Sequence, residues 1–511
     1  MSQISVSHLT FYYEGSYDNI FEDVSFQIDT DWKLGFIARN GRGKTTFLRL
    51  LMGQEEYIGS ITASVVFDYF PFPVHDMQRN TVEILDEIDP DYECWKVCRE
   101  LTYLKVDTEV FYRPFHTLSN GEQTKVLLAL LFSRDNHFLL IDEPTNHLDM
   151  ETRTLLMEYL NHKKGFILVS HDRSFMDGCV DHILAINRAN IEVQQGNFSS
   201  WWENKQRQDA FELSENEKLK KDIKRLEESA RKASQWADAV EATKLGKKSA
   251  KFDTVKCIDT RAYLGEKSRR MQMRKKNLQA RREKEIEEKS SLLKNLETVE
   301  DLKLFPLTHH KENLVVMEDC TLSYEGENVK NVLEHFSLKV KGGERIFLQG
   351  KNGCGKSSII KAILMEAGMK EEKDKDLRLT SGKITLPGDL IISYCNQDTS
   401  GLHGTLREYA AEQQIDETLF LALLRKLDFS RTQFEKRIED YSGGQKKKVL
   451  LAGSLCKKAH LYIWDEPLNF IDVFSRMQIE ELILKFKPAM ILVEHDKSFV
   501  EHVATSVISI P

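Results

Sequence analysis

Residues 350–357 read Gly-Lys-Asn-Gly-Cys-Gly-Lys-Ser. Holding a nucleoside triphosphate calls for backbone N–H groups aimed inward, a helix N-terminus and a lysine for the outer phosphates, and this spacing supplies all three. An apolar strand, Arg345-Ile-Phe-Leu-Gln, precedes the loop, and an apolar helix, Ile359-Ile-Lys-Ala-Ile-Leu, follows it. The candidate phosphate ligands are Gly350, Lys351, Asn352, Gly353, Cys354, Gly355, Lys356, Ser357 and Ser358. A near copy stands earlier, as Ala38, Arg39, Asn40, Gly41, Arg42, Gly43, Lys44, Thr45 and Thr46. Ala38 replaces the first glycine. It is compatible with the loop if its φ is negative, because a Cβ is penalised only in the left-handed region.

Each copy is followed by an apolar strand ending in Asp-Glu, at 138–143 and 461–466. Asp142 and Asp465 are placed to hold Mg²⁺ through water, with Thr45 and Ser357 ligating it by their hydroxyls. Glu143 and Glu466, one residue beyond the strand end, can orient and deprotonate an attacking water. A further apolar strand in each copy leads to His171 and His495, within reach of a γ-phosphate. A lone histidine would usually be structural; the matched placement of these two favours a catalytic role.

The elements that must carry these residues therefore come twice. Leu-Ser-Asn-Gly-Glu-Gln (118–123) and Tyr-Ser-Gly-Gly-Gln (441–445) fall between loop and carboxylates in both copies, and four motifs recur in one order. Two copies of one α/β domain are the simplest explanation. We expect domains at 1–198 and 306–511, with a linker at 199–305. Residues 201–300 hold 26 Lys and Arg against 19 Asp and Glu and no proline, so this stretch is positive in a chain of net charge −8. Leu219, Ile223, Leu226, Ala230, Ala233, Ala237 and Val240 form a heptad seam, and Met271, Leu278, Ile286, Leu293 and Leu296 suggest a returning helix. The reading is an antiparallel helical hairpin whose tip and return, residues 243–282, carry 14 basic and 3 acidic side chains. A solvated spacer is the plain alternative.

No run of about 18 apolar residues predicts a membrane-spanning helix. The opening residues lack a basic stretch followed by an apolar core, so no secretory signal is expected. The eight cysteines are scattered; only Cys94 and Cys98 are close, without a nearby His, and reduced cytosolic thiols are the default reading.

Together these motifs resemble the ABC ATPases, and 118–123 and 441–445 are similar to that family's diagnostic element. The resemblance implies ATP and Mg²⁺ as cofactors and a monomer whose two halves close on each other around two ATP molecules. Ser119, Asn120 and Gly121 would complete the site of Lys356 and Glu466. Ser442, Gly443 and Gly444 would complete that of Lys44 and Glu143. It further implies that Tyr13 and Tyr324 stack on adenine, that Asn146–Asp149 and Asn469–Asp472 are the D-loops, and that Gln397 contacts Mg²⁺. The first copy has Tyr69-Phe70-Pro71 in that last place. Two such domains with a charged helical linker and no membrane span resemble the ABC-F group. The stretch from Trp32 to Thr46 and Tyr-Phe-Pro-Phe at 69–72 resemble its Lsa-type antibiotic-resistance branch. That likeness implies a cytoplasmic, ribosome-associated protein. Its linker would approach rRNA and the P-site tRNA near the peptidyl transferase centre of the bacterial ribosome. Rival readings are a housekeeping ABC-F translation factor, a transporter ATPase and a DNA-associated ABC ATPase.

Overall fold

The computed structural model describes residues 3–13, 19–39, 42–146, 148–186, 191–245, 304–324, 330–351, 353–369, 377–427, 429, 431–469 and 471–510. The chain divides into two units, residues 1–201 with 300–511, and residues 202–299. Asn40, Gly41, Asn352, His147 of the first D-loop, Phe470 of the second, the returning linker helix and the basic stretch beyond 245 lie outside the described residues.

In the first half, β1 (Gln3–Phe11), β2 (Phe21–Asp29) and β4 (Ile58–Thr62) form an antiparallel sheet in the order β2-β1-β4. The other strands are β3 (Lys33–Ile37), β5 (Val66–Phe70), β6 (His137–Asp142), β7 (Phe166–Val169), β8 (His182–Ile186) and β9 (Ile191–Gln195). They form a six-stranded sheet in the order β5-β6-β7-β3-β8-β9, parallel except for the β8–β9 edge. Parallel strands are covered on both faces and so read as continuous apolar runs. Phe138, Leu139, Leu140 and Ile141 of β6 and all of β7 are buried.

The second half repeats the plan. β11 (Lys330–Lys341), β10 (Asn313–Tyr324) and β13 (Leu377–Thr385) are antiparallel neighbours in that order. β14 (Ile392–Cys395), β15 (Leu461–Asp465), β16 (Met490–Val493), β12 (Arg345–Gln349) and β17 (Ser506–Ser509) form a parallel sheet in that order.

This strand order places the chemistry. β7 lies between β6 and β3, so the carboxyl ends carrying Asp142, His171 and the Lys44 loop are adjacent. β16 does the same for Asp465, His495 and the Lys356 loop. Ligand sites of open α/β sheets form beyond such strand ends. The Lys44–Leu51 helix is pinned behind its loop by Phe47, whose ring lies 6.0, 5.8 and 5.5 Å from Phe21, Phe26 and Phe36. Truncating so enclosed a ring costs about 3–5 kcal/mol.

A single helix, Phe198–Leu245, runs 48 residues, which at 1.5 Å per residue is roughly 70 Å of rod. At its root the buried Trp201 packs on Phe198 and, at 6.2 Å, on Phe474 of the second half. The chain after the linker is fastened to its domain by Leu307, whose N–H donates to the Ala459 carbonyl (2.8 Å).

Candidate functional site

Each lysine loop ends in a glycine with a left-handed backbone, Gly43 at φ 90° and Gly355 at φ 100°, at the N-cap of the helix that follows. Only glycine takes that conformation without a steric cost. Ala38 is not among the positive-φ residues, and neither is its counterpart Gly350. What differs is the space. A Cβ at Gly350 would sit 2.5 Å from the Cys354 Sγ and 2.9 Å from the Ile510 carbonyl oxygen. The first copy has Arg42 in the place of Cys354, so the alanine goes with a different neighbour.

Glu143 and Glu466 are both non-glycine residues at positive φ, 50° and 48°. Such a backbone costs on the order of 1–3 kcal/mol and persists only when its surroundings hold it. Here the hold is the same in both copies. The Glu143 N–H donates to the Val169 carbonyl (2.9 Å) and the Glu466 N–H to that of Val493 (3.0 Å). The bend turns each carboxylate off the strand line toward the histidine of the neighbouring strand. His171 Nε2 lies 3.3 Å from Glu143 Oε1, and His495 Nε2 lies 3.5 Å from Glu466 Oε1.

In the first site Lys44 Nζ donates to the Ala38 carbonyl (3.0 Å) and approaches His171 Nε2 at 3.4 Å. An ammonium only donates, so this ring nitrogen accepts and the proton sits on Nδ1. Burial, then the Lys44 charge, holds His171 well below its ordinary pKa, so the ring is neutral. Burial also pushes Glu143 up to about 7, against the opposing charge of Lys44. Its Oε1 is a buried oxygen without a hydrogen bond.

The second site is wired differently. Lys356 Nζ turns to the carbonyls of Gly350 (2.7 Å) and Lys351 (2.8 Å). Glu466 Oε2 accepts from two amides, Gln397 Nε2 at 2.7 Å and Asn469 Nδ2 at 2.8 Å. Asp465 is buried and bonded by the Ser357 hydroxyl, while its Oδ1 has no partner. A buried orphan carboxylate oxygen beside a hydroxyl suits a hard cation, so these residues fit Mg²⁺.

Strand register corrects one correspondence. Tyr69 pairs with Leu140 and Tyr394 with Ile463, each two residues before the metal-site aspartate. Tyr69 is thus the counterpart of Tyr394, and Phe72 stands where Gln397 does. Tyr69 donates to Asp142 Oδ2 (2.9 Å), whereas Tyr394 donates to Asn396 (3.2 Å).

Ser119 and Ser442 cap their helices in the same way. The Ser119 Oγ accepts from Glu122 N (3.2 Å) and the Ser442 Oγ from Gln445 N (3.4 Å), each closing a capping box. The helix ends stay free to offer N–H groups and the positive end of the dipole to an anion. Ser442 and Gly444 lie across a cleft of about 530 Å³ from Lys44, Thr45, Asp142 and Glu143, joining the two halves at the first site. Tyr13 lines the same cleft, its hydroxyl 2.8 Å from Thr46 Oγ1, as that of Tyr324 is 3.1 Å from Ser358 Oγ.

At the second site the first half contributes through helix Met150–Asn161. Glu151 pairs with Lys351 (3.1 Å), and Arg153 Nη1 donates to the His495 carbonyl (3.1 Å). Gly121 lies beside Thr152 of that helix. Buried Arg173 and Glu480 form an ion pair between the halves, and Arg39 of the first loop lies over the Phe474 ring at 5.6 Å.

Sequence reasoning missed several of these residues. Phe429, Gln433 and Lys448 line the first cleft from the second half. Lys448 did have a signal, since lysine stands six residues after the motif serine in both copies, at 125 and 448. Cys94 and Cys98 are free, their sulfurs 4.0 Å apart. His309, His310 and Asp389 cluster closely enough to suggest a metal. However, His309 Nδ1 accepts the Lys311 N–H (3.0 Å), which puts the ring proton on Nε2, where it donates to Asp389 (2.9 Å). That nitrogen has no lone pair to give a metal.

Among the described residues no helix is long and apolar enough to cross a membrane. The ABC transporter family profile matches residues 21–146 and again 333–469, together just over half the chain. The ribosome protection protein VmlR of Bacillus subtilis is 26% identical over 503 residues, covering 97% of this chain and 84% of that one. The energy-dependent translational throttle protein EttA of Haemophilus influenzae is 24% identical over 544 residues, covering 96% and 89%. Among solved structures, ribosome-bound archaeal Pelota and ABCE1 matches with a TM-score of 0.58 at 20% identity, covering 98% of this chain and 76% of that one, a likeness of fold. With two tandem ATP-binding domains of the ATP-hydrolysing kind, this chain belongs to the ABC transporter family.

Proposed function

We propose that the chain is an ABC-F ATPase that binds the bacterial ribosome at the tRNA exit site. There its linker protects the peptidyl transferase centre from lincosamides, pleuromutilins and streptogramin A. The observation that carries the clamp is the first cleft, where Lys44 and Glu143 of one half face Ser442 and Gly444 of the other. ATP bound there touches both halves and so favours their closed arrangement, a population shift driven by differential contact. Lys44 and Lys356 bind the outer phosphates, and the capped helix ends at Ser442 and Ser119 receive the γ-phosphate from the opposite side. Glu143 and Glu466 take the proton of the attacking water, and His171 and His495 orient the γ-phosphate. Mg²⁺, held by Thr45 and Asp142 or by Ser357, Gln397 and Asp465, would neutralise charge developing on the phosphates. Hydrolysis removes the bridging group and releases the clamp.

The ribosome reading is supported by the 48-residue helix, by the 14 basic residues of 243–282 and by a relative named as a ribosome protection protein. A basic segment in an otherwise acidic chain is drawn to RNA phosphate, with an affinity that falls steeply with salt. Such a protein works in the cytoplasm. A second reading, a translation factor without a drug link, is favoured by the likeness to a protein named a translational throttle.

The test combines Glu143→Gln with Glu466→Gln. This variant should pellet with ribosomes in ATP at moderate salt and be released in ADP; failure to pellet would sink the proposal. Cells carrying the wild-type protein should tolerate the three drug classes better than cells without it. Unchanged susceptibility alongside ribosome binding would favour the translation-factor reading.

A further inference from the structure

The two aspartates at the strand ends are equivalent by register, yet their hydrogen-bond donors differ. Asp465 is bonded by the Ser357 hydroxyl from the lysine loop. Asp142 is bonded by Tyr69 from the neighbouring strand, at 2.9 Å. The counterpart tyrosine in the second copy, Tyr394, is spent on Asn396. The first copy also lacks the glutamine, with Phe72 in its place. One site therefore has an amide, Gln397, reaching Glu466 from just beyond β14, and the other has a phenol hydroxyl reaching Asp142 from the equivalent strand β5.

A hydroxyl fixed on Asp142 Oδ2 commits one side of that carboxylate and so decides which oxygen faces the loop. Partners of this kind orient metal-ligating carboxylates, and losing one costs about 10–100-fold in metal affinity. We propose that Tyr69 is a positioning residue for the divalent cation of the first ATP site. It would do there, through Asp142, what Gln397 would do for the second site from just beyond the end of the equivalent strand. This rests on the reading that the first cleft binds Mg·ATP.

The test uses Lys356→Ala to silence the second loop, and measures the Mg²⁺ concentration at half-maximal binding of a fluorescent ATP analogue. Tyr69→Phe should raise that midpoint about tenfold and leave metal-free nucleotide affinity unchanged. In an Asp142→Asn background the same substitution should have no further effect, whereas a purely structural role would persist there. Tyr394→Phe, read at the second site with Lys44→Ala, should leave the midpoint unchanged. An unmoved midpoint in Tyr69→Phe, or an equal shift in Tyr394→Phe, overturns the assignment. Absence of any nucleotide binding in Lys356→Ala alone would instead overturn the reading of the first cleft, and the assignment with it.

Discussion

The two ATP sites share a backbone and differ in their wiring. Both bend the candidate catalytic glutamate into a left-handed backbone, both cap a motif helix with serine, and both set a histidine beside the glutamate. In the second site two amides hold Glu466. In the first, Glu143 faces Lys44 and a neutral His171 in a buried setting that raises its pKa to about 7. Duplication thus kept the groups that fold the site and altered those that tune it. We propose that the second site, where two amides orient Glu466, turns over faster than the first.

Four experiments would break or sharpen this contrast. The largest effect is expected from Glu466→Gln, which should lower steady-state ATP turnover about 10²–10⁴-fold, as loss of a general base does. Glu143→Gln should cost far less under that proposal; equal losses would erase the contrast. Next, Ser442→Ala removes the helix cap facing the first site, at about 1 kcal/mol of stability, and should weaken ATP binding there. Equilibrium binding with the second loop silenced should show it, and Ser119→Ala should leave that site unaffected.

The pH dependence is the third. A base with a raised pKa is protonated, and inactive, below that value. With Glu466→Gln isolating the first site, kcat/KM should rise as pH increases through about 7 and level off above it. The limb should vanish in the Glu143→Gln double variant. A flat profile from pH 6 to 8 would show that Glu143 is not the titrating base. The smallest effect is expected from Phe72→Gln, which restores an amide at the position of Gln397. First-site turnover, measured in the same isolating background, should rise a few-fold, and no change would mean the glutamine alone does not set the difference.

Much of this was legible in the sequence because short-range rules govern it. The Lys356 and Lys44 loops announce themselves through glycines that the backbone requires and through the strand and helix on either side. Ser119 and Ser442 follow a capping rule that spans three residues. The pairing of Ser442 with Lys44 across the halves came from likeness to a family, not from spacing, since nothing local states which helix end meets which loop. Sequence alone puts Tyr69-Phe70-Pro71 in the place of Gln397, whereas register puts Phe72 there and makes Tyr69 the counterpart of Tyr394. The role of Tyr69 depends on strand register, and register is fixed by the packing of β5 on β6, not by the residues of β5 alone. Phe429 and Gln433 enter the first cleft through tertiary packing for which their own neighbourhood holds no pattern.

The central claim is that one triphosphate is shared by opposite halves. The direct measurement uses a γ-phosphate photoreactive ATP bound to the Lys356→Ala, Glu143→Gln variant, followed by peptide mapping. The account predicts label both on the Lys44 loop and on residues 442–448. Label confined to the first half, with nucleotide demonstrably bound, would contradict it.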